Sequence, residues 1–183
     1  MKISILISSK VHPVNSSIGR WAEEKSSNHL IDIFHSRDEL VNGDILFLVS
    51  CEEIIPKIIR DKFKKTLVIH ASDLPIGRGW SPHIWEIING ASDVTLTLLE
   101  AEDKVDSGDI WTKIRVDIPK TALYDEINQL IIDTEINLIN FAISNFKNIT
   151  PIKQEEKKAS YWPKRSPKDS ELDLNKSLAE QFD

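Results

Sequence analysis

The chain has 183 residues, 40% hydrophobic and 28% charged, with a formal net charge of −6. That length suits one domain with a real core and leaves two cramped, and the acidic balance argues against a nucleic-acid partner, because phosphate binding relies on accumulated Lys and Arg. Cys51 is the only cysteine, so no disulfide can close within the chain and no Cys or His spacing suits a metal. The opening run MKISILISSK has strand length and resembles neither a secretory leader nor a membrane span. A soluble cytoplasmic protein with no membrane partner is expected.

In chain order, Lys2 to Ser8 reads as a first strand, followed by a polar loop from Ser9 to Asn15 and a helix from Ser16 to Glu23 with Ser16 as its cap. Ile31 to Phe34 and Asp44 to Val49 are further strands, the latter leaving the sheet at Ser50-Cys51. Glu52 to Phe63 has helical period, with Ile54, Ile55, Ile58, Ile59 and Phe63 on one face and Pro56 in the first turn. Thr66 to Ile69 is a buried strand by length and β-branching, and it stops at His70, Ser72 and Asp73. Ser81 to Ile88 reads as a helix ended by Asn89-Gly90, with Trp85 in the core. Two strands, Asp93 to Glu100 and Asp109 to Ile118, flank the acidic loop Ala101 to Gly108. Lys120 to Phe146 carries the longest helical stripe, including Leu123, Ile127, Ile131, Leu138 and Ala142. Strands alternating with helices predict a doubly wound, mainly parallel α/β sheet. From Pro151 the composition turns to charge and proline, so 1–150 is read as one domain and 151–183 as a tail packed on it.

The polar cluster after Thr66 to Ile69 carries more than structure. His70-Ala71-Ser72-Asp73-Leu74-Pro75, then Arg78-Gly79, and later Asp106-Ser107-Gly108 resemble the formyltransferases that take a one-carbon unit from 10-formyltetrahydrofolate, whose pattern is Asn-x-His-x-Ser-x-Leu-Pro, Arg-Gly and Asp-x-Gly. The segment from Tyr161 to Arg165 is also similar to the one just after the core in several members. The match departs at the first position, where Val68 replaces Asn. The resemblance implies a Rossmann-like fold, with His70 and Asp106 as the catalytic pair. It implies an acceptor near Ser72, Arg78, Gly79 and Trp80, although Arg78 could equally pair with a carboxylate of the fold. It places the folate between Ser50, Cys51 and Ile55 on one side and Glu100, Asp103 and Val105 on the other.

Formyl transfer to an amine builds negative charge on the formyl oxygen and releases one proton, so it needs a hydrogen-bond donor and a proton route. A histidine supplies the donor, and a carboxylate orients it. Losing one oxyanion donor typically costs on the order of 10²–10³ in turnover, which leaves Val68 with three readings: a slow enzyme, a compensated site, or a binding-only relative. The expected acceptor is a nucleotide-linked amino sugar of a surface glycan. The alternatives are a carrier-bound aminoacyl group, or a noncatalytic protein that binds folate or a nucleotide sugar. The apolar face of the last helix leaves an oligomer open.

Overall fold

Apolar runs of strand length pair into one six-stranded sheet in the computed structural model, which describes residues 1–181. Strands β1 (Lys2–Leu6), β2 (Leu30–Phe34), β3 (Gly43–Leu48) and β4 (Phe63–His70) run parallel in the order β2-β1-β3-β4. A two-residue strand β5 (Arg78–Gly79) lies outside this sheet. Strands β6 (Asp93–Glu100) and β7 (Ile110–Asp117) then complete the sheet as an antiparallel pair beside β4. The remaining short strand, β8 (Tyr161–Trp162), pairs with β5.

Side chains alternate across this sheet with the period of two that a pleated strand imposes. On β3, Ile45 and Phe47 join the cluster under helices α1 (Val14–Lys25) and α4 (Tyr124–Asn145), while Leu46 and Leu48 join a smaller cluster with Leu40, Ile55 and Phe63. On β4, Leu67 and Ile69 belong to the first face and Val68 to the second. Helices α1 and α4 are tied together where Trp21 Nε1 donates to Asn140 Oδ1 at 3.0 Å.

Several expectations change. The helix expected over Glu52 to Phe63 shrinks to one turn, α2 (Lys57–Arg60). Pro56 precedes that turn in extended conformation, and a residue before proline is itself driven away from helix. Ile58 is 78% exposed and Phe63 opens β4, so the periodic apolar face is divided between a loop, a turn and a strand. Helix α1 begins two residues before Ser16, with no side-chain cap, and α4 begins at Tyr124 after a turn at Pro119 to Ala122. Trp85 lies in α3 (Pro82–Ile88), half-buried and stacked on Trp162 at 5.6 Å rather than placed in the core.

Leu138 is fully buried in the α4 face of the core. Leu138→Ala should therefore destabilise the chain by about 2–5 kcal/mol, read as a lower urea midpoint with unchanged slope.

Candidate active site

Parallel strands present their carboxyl ends on one edge of a sheet, and ligand sites of α/β proteins form there. A cavity of about 540 Å³ opens at that edge, over Leu48, Val68 and His70. Its lining draws on both faces of the sheet: Ser50, Cys51, Ile55, Glu100, Asp103 and Val105 line it, with Ile55 from the smaller cluster, and so do His12, His83, Ile131 and Glu135, with Ile131 from the cluster under α4. Gly79, Trp80 and Asp106 also line it. The folate-side residues expected from the resemblance all line this cavity. Glu100 is engaged there by Lys65 and Trp111, Asp103 by Arg60, and the Cys51 thiol by Ser8 Oγ at 3.6 Å. Burial pushes the Cys51 thiol above its ordinary range, which suits a wall residue better than a nucleophile.

His70 and Asp106 meet in the lining of this cavity, with Nδ1 3.6 Å from a carboxylate oxygen and both side chains buried. The other ring nitrogen, Nε2, lies 2.8 Å from the Gly77 carbonyl oxygen. A carbonyl only accepts, so Nε2 carries a hydrogen, and Nδ1 is the nitrogen left to exchange a proton. Asp106 is fixed from the opposite side, where the Gly79 amide donates to its second oxygen at 2.9 Å. Its backbone sits at φ 52°, a left-handed conformation that Asp adopts at less cost than most residues. The glycine two residues on has a steric origin: a Cβ at Gly108 would fall 1.8 Å from the Glu100 carbonyl oxygen.

Two residues expected on the acceptor side stand behind the wall. Ser72 is fully buried off the cavity, and its carbonyl accepts from Thr97 Oγ1 at 2.7 Å. It therefore braces the turn after β4 and is not placed to replace the donor absent at Val68. Arg78 is 0% exposed, with its guanidinium bound by Glu156, Gln154 and Tyr161. These partners come from the segment after Pro151, which is why a side-chain role in recognition gives way to one in holding the loop. The Arg78 and Lys104 cations hold the Glu156 carboxyl down at about 2. Trp80 does reach the cavity, 36% exposed, with Lys164 Nζ 4.2 Å from its ring centroid.

The lining also holds residues that motif reading missed. Glu135 is 6% exposed, its Oε2 has no hydrogen-bond partner, and burial pushes its carboxyl up to about 8. His83 Nδ1 is likewise unpartnered, and burial lowers the imidazole to about 4. Both residues line the cavity, and this part of it is neutral at pH 7. A sequence signal did exist, since Glu135 interrupts the apolar stripe of α4 between Ile131 and Leu138.

Because Glu135 is raised from 4.5 to about 8 on folding, the stability it allows is complete below 4.5 and falls as pH rises through 8. Glu135→Gln should thus gain on the parent chain by an amount that grows between pH 5 and pH 8.5, of the order of 3 kcal/mol, as measured by urea unfolding at both values.

Residues 23–143 match the formyl transferase family. The methionyl-tRNA formyltransferase of Natranaerobius thermophilus is 34% identical over 139 residues, covering 74% of this chain and 44% of that protein. The solved methionyl-tRNA formyltransferase from Clostridium thermocellum superposes with a TM-score of 0.80 at 26% identity, over 100% of this chain and 80% of that one. A sugar N-formyltransferase from a Shewanella species gives 0.71 at 19% identity, over 97% and 82%, a likeness of fold. The chain spans less than half the length of the Natranaerobius relative. Among the described residues no helix is long and apolar enough to cross a membrane, and no cluster of His, Cys, Asp and Glu is placed to hold a metal. With the matched span enclosing β4, His70, the acidic loop and Asp106, the chain belongs to the formyl transferase family.

Proposed function

We propose that this chain moves a formyl group from 10-formyltetrahydrofolate to the amine of a small molecule, and that the acceptor is a nucleotide-linked amino sugar. The observation that carries the reading is the buried His70–Asp106 pair in the lining of the cavity, with Nε2 committed to Gly77 and Nδ1 facing the carboxylate. With Nε2–H held by Gly77, a ring that also carries a proton on Nδ1 is an imidazolium, which Asp106 stabilises. It can give that proton to the formyl oxygen as charge develops there and become neutral, while Asp106 takes part in removing the proton of the amine.

The folate supplies the activated one-carbon unit, and the lining from Ser50 to Ile55 with Glu100 to Val105 would hold it. Its fit rests on cavity size, which lies in the range of small-molecule and cofactor sites, and on apolar surface from Leu48, Ile55, Val68 and Val105. The part of the lining that includes His83 and Glu135 is left for the acceptor. Trp80 lines the cavity, and Lys164, which stands over its ring and pairs with Glu52, is a cation at its edge that a nucleoside phosphate would compete for. Glu52, Glu53, Glu102 and Asp103 around the cavity disfavour the dense phosphates of a nucleic acid. We assign 151–183 as a tail belonging to this catalytic unit, and a cytoplasmic setting fits the folate cosubstrate.

A second reading, a protein that binds folate or a nucleotide sugar without turning it over, is favoured by Val68 alone. On β4 Val68 pairs with Leu48 and Leu99 and lines the cavity, so an apolar group stands where the family's amide donor is expected.

Turnover with 10-formyltetrahydrofolate and a panel of amino-sugar nucleotides, followed by product mass, tests the reading. One sugar should gain one formyl group; folate binding with no product from any amine would favour the second reading. His70→Ala should lower the rate by roughly 10³-fold or more with folding intact by circular dichroism, and a near-normal rate would remove His70 from the chemistry. Val68→Asn, assayed with the same acceptor, should raise kcat by about tenfold or more, a part of what one donor is worth.

A further inference from the structure

Resting on that reading, we propose that Gln154 is a positioning residue that sets the Asp106 carboxylate against His70 by clamping the backbone of the acidic loop. Gln154 lies beyond the family-matched span and outside the motif residues. Its amide nitrogen donates to two carbonyl oxygens of the loop, that of Asp106 at 2.9 Å and that of Gly108 at 2.8 Å. Its amide oxygen accepts from Arg78 Nη2 at 2.7 Å. A primary amide has two N–H donors, and here both are used on the residues that flank Ser107.

The orientation of this amide is set by its neighbours. Flipping it would place an NH₂ against the Arg78 guanidinium and an oxygen against two carbonyls, so only one assignment is electrostatically satisfied. Arg78 cannot drift, because Glu156 grips it with two oxygens at 2.9 and 2.7 Å. A glutamate at 154 would keep the Arg78 contact and lose both donations, and a methionine would lose all three.

The same arm also fixes what Asp106 and His70 lean on. Ser160 accepts from the Arg78 amide at 2.9 Å through its carbonyl, and from the Gly77 amide at 2.9 Å through its hydroxyl. Between them, Gly77 supplies the carbonyl that holds His70 Nε2 and Gly79 the amide that holds Asp106. Among the described residues, Gln154 is the side chain that links this scaffold to the Asp106 backbone, whose left-handed φ of 52° needs external support. A misplacement of about 1 Å in a catalytic group can cost on the order of 10²-fold in rate.

The test compares Gln154→Met, Gln154→Glu, Asp106→Asn and the Met/Asn double variant in the full chain. Both Gln154 variants should lose about 10- to 100-fold in kcat, with folate affinity changed less than about threefold. In the Asp106→Asn background, Gln154→Met should change the residual rate by less than about twofold, because its effect passes through Asp106. Histidine side-chain ¹⁵N spectra of the free protein supply a readout that needs no turnover: His70 signals in Gln154→Met should move toward those of Asp106→Asn. A normal kcat, an undiminished loss on the Asn background, or His70 signals identical to the parent would each overturn the proposal. If the parent chain formylates no acceptor, the functional reading fails while the spectra still decide the role of Gln154.

Discussion

A buried guanidinium governs the geometry on which the site depends. Arg78 has no exposed surface, yet it is a permanent cation, so the chain must bring it anions and acceptors or bear a large desolvation cost. It does so with Glu156, Gln154 and Tyr161, all from one segment that returns to the edge of the cavity. Stripping a buried cation of its partners is strongly destabilising, which explains why that segment docks in one register. Gly79 tightens the constraint: its φ is 97°, and a Cβ there would come within 2.5 Å of the Trp162 carbonyl oxygen, so β5 and β8 approach as closely as they do only without a side chain.

The site that results has two electrostatic characters. One part of its lining is engaged in ion pairs, Arg60 with Asp103 and Lys65 with Glu100. Another part is neutral because burial keeps Glu135 protonated and His83 unprotonated. An acceptor bound at the neutral part would be read by hydrogen bonds and shape, and an error in its polar pattern would leave buried groups unpaired.

Legibility from sequence varied with how local the cause was. The parallel strands were readable because each apolar run is short, β-branched and bounded by turn residues, as in Thr66 to Ile69. The pairing of His70 with Asp106 was legible only through the resemblance, since proximity across a sheet edge leaves no trace in spacing. Glu52 to Phe63 misled because its isoleucines fit a helical period while Pro56 and the start of β4 divide them. Arg78 was open to two uses because its anionic partner Glu156 lies 78 residues away in the chain, and sequence patterns carry no information about such a contact. Trp85 sits at a helical period that suits a core residue, yet its partner is Trp162 in a segment with no periodicity of its own.

The pairing of β5 with β8 has a consequence for how the protein is made. Every strand of the main sheet, and the helix that covers it, precedes residue 150, so a chain emerging from the ribosome can assemble its core early. The edge of the cavity, by contrast, is completed only when Gln154 has emerged to bind the acidic loop, and Ser160 and Trp162 to bind the Gly77 to Gly79 turn. The nascent protein therefore passes through a stage in which the sheet is built and His70 is already on its strand, while the loop that carries Asp106 still lacks its contacts with the segment after Pro151. A partner or protease acting on the growing chain thus meets the sheet before it meets the finished edge of the cavity.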